Sequence, residues 1–223
     1  MSNSAPCDLR RLPYANIGFA DMRERQKIYV DKTALIYQIA IQDEPIFFSR
    51  PRRFGKTLLV NTLASLFADG LKYFKGLAIE KKWHDKTYKV IRLDFSSIAN
   101  KNAQAFKIAL NDTLVTAFNV EGIVPQAYVN GIRDPDRVLN EIIRKKINNS
   151  IVLLIDEYDA PLTHNIDNEE DLNEIMRTLK SFYATIKEYT DKFRLIFITG
   201  ITRTSHVSIF SAFNNLKDLS LQD

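Results

Sequence analysis

The sequence predicts an α/β fold with a mostly parallel central sheet and helices on both faces, and three observations predict it. Short apolar runs alternate with amphipathic stretches along most of the chain, the mark of repeated strand–helix–strand units. One run, Ile151-Val152-Leu153-Leu154-Ile155, is unbroken, which suits a central parallel strand covered on both sides. Another, Ile46-Phe47-Phe48-Ser49, leads through a basic loop into Gly55-Lys56-Thr57 and then an amphipathic stretch. Strand, loop, Gly-Lys-Thr and helix in that order is the layout of a phosphate-binding loop.

Taken in order, residues 1–16 read as a flexible tail and residues 17–223 as one domain. A turn or short helix starts near Ile17-Gly18-Phe19, and Lys27-Ile28-Tyr29-Val30 reads as a short strand. Asp31-Lys32-Thr33 introduces a helix with Ala34, Leu35, Ile36, Ile39 and Ala40 on its apolar face and Asp31 or Thr33 as its cap. After the first core strand and its loop, a helix runs from about Thr57 to Ala68, buries Leu58, Leu59, Leu63, Leu66 and Phe67, and stops at Asp69-Gly70. The segment from Phe74 to Lys86 reads as a polar, irregular loop. Lys89 to Phe95 is a strand with Asp94 near its end. Helices follow at about 101–119 and 135–147, then the unbroken strand, then a helix at about 169–190. Phe193 to Thr199 is the last strand expected, so the sheet is read as lacking a final one. Beyond residue 204 a Ser- and Asn-rich loop with a short helix is expected.

The chemistry concentrates in two places. A triphosphate needs peptide N–H groups at a helix N-terminus, a cation for its outer phosphates and a ligand for Mg²⁺. Gly55, Lys56 and Thr57 supply these types of group. The usual pattern has a glycine five residues before Gly55, where this chain has Arg50 followed by Pro51, which removes a backbone donor. Arg50, Arg52 and Arg53 are candidate guanidinium donors in compensation. A basic turn before a surface helix is the competing reading.

The second place is Asp156-Glu157-Tyr158-Asp159, delivered to the end of the buried strand, where ligands of such sheets bind. Adjacent buried acids are costly unless paired. Mg²⁺ would relieve Asp156, and Glu157, facing the other way along the strand, could orient and deprotonate an attacking water. The competing reading has these acids capping a turn or pairing with Arg203. Thr199 is a candidate sensor of the γ-phosphate or the water, against a strand-end threonine satisfying a turn. Arg203 is a candidate phosphate contact, within the chain or across the interface of a homo-oligomer, against a structural ion pair. Asp94 reads as a cap more than as a site residue.

Composition excludes several classes. The chain has 223 residues, 45% apolar and 26% charged, as expected of a globular domain with a full core. Its apolar runs are far too short for a membrane span. Met1 to Cys7 has no basic-then-apolar leader. Cys7 is the single cysteine, which points to the cytoplasm and to no disulfide. His84, His164 and His206 have no metal-ligand spacing. A net charge of +4 permits a nucleic-acid partner without arguing for one.

Five segments together resemble the AAA-ATPase-like family of prokaryotic P-loop ATPases: Tyr29 to Thr33, Ser49 to Thr57, Leu93 to Ser96, Leu154 to Pro161 and Thr199 to Arg203. In that family the missing first glycine is normal. The resemblance implies an additional-strand P-loop NTPase fold, with Lys56 and Thr57 as the Walker A pair, Asp156 as the Walker B acid and Glu157 as the catalytic base. It implies ATP and Mg²⁺ as cofactors. The candidate site is then Arg52, Arg53, Phe54, Gly55, Lys56, Thr57 and Leu58 around the nucleotide, Thr57 and Asp156 on the metal, and Lys56, Glu157, Thr199 and Arg203 in catalysis. Members often continue into a restriction-endonuclease-type nuclease domain, which these residues do not provide, so a C-terminal truncation is expected. ATP hydrolysis is the leading expectation. A non-hydrolysing, nucleotide-responsive module that contacts a protein or nucleic acid is the alternative.

Overall fold

Four apolar runs and one polar pair form a five-stranded sheet in the computed structural model, which describes residues 11–15, 17–98, 102–123, 134–146, 151–201, 209–210, 213 and 216–220. The strands are β1 (Ile46–Ser49), β2 (Lys89–Asp94), β3 (Ile151–Asp156), β4 (Phe193–Gly200) and β5 (Lys217–Asp218), and the helices are α1 (Phe19–Glu24), α2 (Thr33–Ala40), α3 (Lys56–Asp69), α4 (Ala103–Val120), α5 (Pro135–Lys146), α6 (Ala160–His164) and α7 (Glu169–Glu188). The strand order is β2-β3-β4-β1-β5, and every pairing is parallel. The α/β architecture and its parallel sheet are as expected. β4 lies between β1, which feeds the basic loop, and β3, which carries the acids, the strand order of an additional-strand P-loop fold.

The sheet does have a final strand. β5 pairs with β1, and Lys217 and Leu219 donate their N–H groups to Pro45 and Phe47 carbonyls at 2.8 and 2.9 Å. Two polar residues carry no apolar pattern, so nothing local announces such a strand. Similarly, residues 27–30 form no strand.

By their internal contacts the residues fall into two compact units, 1–41 with 57–87, and 42–56 with 88–223. The second unit holds the whole sheet. β3 is buried at every position, as its unbroken apolar sequence requires. β2, an edge strand, buries Ile91 and Leu93 and exposes Lys89, Arg92 and Asp94, charges that discourage pairing with another chain. One face of the sheet, through Ile91, Leu93, Leu153, Ile155, Ile196 and Ile198, meets Phe106, Leu110 and Leu114 of α4, Leu139 and Ile143 of α5, and Phe182 and Tyr183 of α7. Asn102 and Asn168 cap α4 and α7, accepting the N–H groups of Ala105 and Asp171 at 2.8 and 3.1 Å. Phe210 and Phe213, from the segment read as a polar tail, belong to this core.

In the first unit, α2 buries Thr33, Ile36 and Ala40 and leaves Leu35 exposed, a narrower face than the one expected. α3 buries Val60, Thr62, Leu63, Leu66 and Phe67, while Leu58 and Leu59 are half-buried. Residues 74–86 run through turns, but they are anchored by buried Phe74, Ile79 and Trp83 rather than being polar throughout. Phe19 packs against Phe74 and Tyr29 at 4.7 and 5.1 Å between centroids, and Trp83 against Phe67 at 5.2 Å. The Asp31 carboxylate accepts the Thr33 N–H and hydroxyl at 2.8 and 2.6 Å and the Ala78 N–H at 2.8 Å. Residues 11–15 are held at Arg11, whose carbonyl accepts the Ile28 N–H at 2.8 Å. Among the described residues, no helix is long and apolar enough to cross a membrane.

Candidate functional site

β3, β4 and β1 are neighbours and parallel, so their carboxyl ends lie side by side in the second unit. The loop leaving β1 has left-handed backbone at Arg53, φ +69°, and at Gly55, φ +75°. Gly55 meets this demand without strain, and any side chain there would not. Turns that mix right- and left-handed residues gather peptide N–H groups into a concavity for anions. Arg52, Arg53 and Phe54 are exposed, Phe54 at 68%. Lys56 opens α3 and is 5% exposed, and its Nζ donates to the Arg50 and Pro51 carbonyls at 2.9 and 3.1 Å. A long cationic side chain is thereby folded back across its own loop. Thr57 and Leu58 follow it in the helix, within the first unit.

Arg50, read as a phosphate donor, is engaged elsewhere. Its guanidinium donates to the Ser220 carbonyl and lies 5.1 Å from the centroid of the Phe48 ring. Ser220 also accepts the Ser49 N–H on its hydroxyl at 2.8 Å. The residue in the place of the usual glycine therefore ties the start of the loop to the segment after β5.

At the end of β3, Asp156 is 4% exposed and accepts the Thr199 hydroxyl, itself fully buried. The same hydroxyl accepts the Glu157 N–H at 3.3 Å. Thr199, a candidate sensor of phosphate or water, bonds the acidic segment at both Asp156 and Glu157. Glu157 was expected to continue the strand. β3 ends at Asp156, and Glu157 takes φ +53°, because the chain turns here into α6 and the Glu157 carbonyl accepts the Ala160 N–H at 2.9 Å. Burial, then the like charges of Asp156 and Asp94, raise the Glu157 carboxyl above its ordinary range, against the opposing pull of Lys56 and Arg52. Asp94, in register with Asp156, caps the 3-10 turn Phe95–Ser97 by accepting the Ser96 N–H and hydroxyl at 2.9 and 2.6 Å. It is both the expected cap and a source of negative potential at Glu157.

Arg203 lies outside the described residues, as do Cys7 and His206. His164 bonds the Ala160 carbonyl within its own turn at 2.7 Å. Among the described residues, no cluster of three or more His, Cys, Asp or Glu could hold a metal. Mg²⁺ is held by one or two carboxylates together with phosphates and water rather than by a protein cage. The buried Asp156 carboxylate is a group of this type, beside a Glu157 on which Asp156 and Asp94 act as like charges and Lys56 and Arg52 as opposite ones. The sequence reading missed the Ser220 tie and the close fit of Tyr158 on Gly200, since both join residues far apart in the chain.

The family described as Predicted AAA-ATPase matches residues 13–210. The chain belongs to this family. This AAA-ATPase-like chain is also 34% identical over 217 residues to a protein of Azotobacter chroococcum mcd 1 named "Uncharacterized protein in vnfD 5'region". That alignment covers 95% of this chain and 41% of the relative, so the chain spans about two-fifths of that protein's length. For an AAA-ATPase-like chain the natural ligand class is a nucleotide, and the loop and acids are the groups available to meet one.

Proposed function

We propose that this chain binds ATP with Mg²⁺ and hydrolyses it by transferring the γ-phosphoryl group to water. The observation that carries the reading is that the buried Lys56 ammonium follows β1 while the buried Asp156 and a Glu157 of raised proton affinity follow β3, at the same end of the sheet with β4 between them, and that the charge of Lys56 acts on Glu157. In this reading the peptide N–H groups from Arg52 to Leu58 and the Lys56 ammonium hold the phosphates. The Thr57 hydroxyl and the Asp156 carboxylate hold Mg²⁺, which supplies charge neutralisation to the phosphates. Glu157 takes the proton of the attacking water, and its raised proton affinity makes it a better base than a solvated glutamate. Thr199 orients Asp156 and Glu157, and Arg203 adds a phosphate contact from this chain or a second copy. Residues 17–223 act as one working domain.

Glu157→Gln tests the reading. The variant is expected to keep Mg²⁺-ATP affinity within about threefold and to lose at least about 100-fold in phosphate release, the scale of a lost general base. Unchanged turnover would remove Glu157 from the mechanism. A wild-type chain that binds ATP and releases no phosphate would instead be a nucleotide-responsive binding module.

A further inference from the structure

The residues from Asp156 to Asp159 interlock with Thr199 to Ile201 at the exit of β4. The Thr199 hydroxyl bonds the Asp156 carboxylate and the Glu157 N–H. The Thr199 carbonyl accepts the Tyr158 N–H at 3.0 Å. The Tyr158 ring covers Gly200 so closely that a Cβ on Gly200 would overlap it. Asp159, 1% exposed, then reaches across with Oδ2 to accept the Ile201 N–H at 3.0 Å. Glu157 sits between these attachments with left-handed backbone, a conformation that persists only where the surroundings over-determine it.

Asp159 stands in the N-cap position of α6 but makes no side-chain cap bond there. Burying a carboxylate is expensive, so packing alone would be better met by an apolar residue. The carboxylate does accept a bond from the neighbouring strand's exit, two residues beyond Thr199.

We propose that Asp159 is a positioning residue, which fixes the Glu157 backbone by clasping its turn to Ile201. The inference rests on the reading of Glu157 as the base. Thr199 holds the turn before and after Glu157, and Asp159 holds it beyond Tyr158, so the turn cannot unwind from its α6 side. Without that outer clasp, Glu157 relaxes toward an ordinary backbone conformation and its carboxylate moves. A displacement of about 1 Å is enough to cost up to two orders of magnitude in rate.

The test uses the full chain and three proteins: wild type, Asp159→Ala and Asp159→Asn. The alanine variant is expected to lose about 10- to 100-fold in kcat with the Mg²⁺-ATP Kd within about threefold. Asparagine keeps an acceptor for Ile201 and is expected to restore kcat to within about threefold of wild type. Wild-type kcat in the alanine variant, or a loss in Kd matching the loss in kcat, would overturn the proposal. Amide hydrogen exchange on the wild type decides it without any variant. The Glu157, Tyr158 and Ile201 amides should open together as one unit. Independent opening of Ile201 would overturn the clasp. A wild-type chain that binds no ATP would defeat the hydrolytic reading, and the exchange pattern would still decide the clasp.

Discussion

Glu157 departs from its surroundings in two ways, backbone conformation and proton affinity, and each has a separable consequence. A left-handed non-glycine residue is destabilised by about 1–2 kcal/mol, so Glu157→Gly should be more stable than Glu157→Gln by roughly 1 kcal/mol in chemical denaturation, with turnover lost in both. Equal stability of the two variants would mean that the backbone there is unstrained. A raised folded-state pKa means that Glu157 favours the fold in its neutral form. Its contribution is present below the ordinary glutamate range and is lost as pH rises through the raised value. Catalysis needs the opposite form, so kcat/KM should fall as pH drops through that same value. Asp94→Asn removes a like charge, lowers the Glu157 pKa and should move the acid limb of the kcat/KM profile, which reports the free enzyme, to lower pH. An unmoved limb would mean that the limb belongs to another group. The sequence made both acids visible, since five apolar residues lead straight into them. It could not display the turn at Glu157, which is set by bonds to Thr199 and Ala160.

At the scale of elements, the loop after β1 is held by parts of the chain far from it. Arg50 joins the loop's start to Ser220, next to a strand of two residues. Arg50→Ala should speed exchange of the Leu219 amide, which donates to Phe47 in β1, while weakening ATP binding far less than Lys56→Ala does. Comparable losses of affinity would return Arg50 to the phosphates. Tyr29 to Thr33 illustrates how a motif can be visible while its role is not. Asp31 uses both oxygens to hold Thr33 and Ala78. Burial opposes its ionisation, but the bonds from Thr33 and Ala78 and the charge of Arg23 prevail and hold it below the ordinary range. Its stabilisation is therefore present above the ordinary aspartate pKa and lost as pH falls through the lower folded value. Asp31→Ala should lower stability by about 1–2 kcal/mol at neutral pH, allowing for solvent exposure, and by less in acid. A loss that does not depend on pH would assign the effect to something other than the carboxylate. Helices α3, α4, α5 and α7 were legible because each carries a periodic apolar face over at least three turns. Residues 27–30 misled because β-branched and aromatic side chains also suit an extended segment with no partner strand.

For the molecule as a whole, alternation of strands and helices was enough to give a parallel α/β sheet, and the strand order was legible only through likeness to a family. Pairing order depends on which strands pack side by side, and no local pattern in the chain encodes it. The buried Phe210 and Phe213 were hidden for the same reason, two aromatics in a stretch of serine and asparagine, where Phe210 packs on Tyr158 and Tyr183 and Phe213 packs on Phe210. The central proposal is that the loop from Arg52 to Lys56 and the acids at the end of β3 serve one nucleotide site. Titration calorimetry of Mg²⁺-ATP into the wild-type chain and into Lys56→Ala tests it most directly. The account predicts micromolar binding by wild type, roughly −7 to −8 kcal/mol, and a loss of at least about tenfold in the variant. A folded wild-type chain that takes up no ATP, or a Lys56→Ala variant that binds it equally well, would contradict the account.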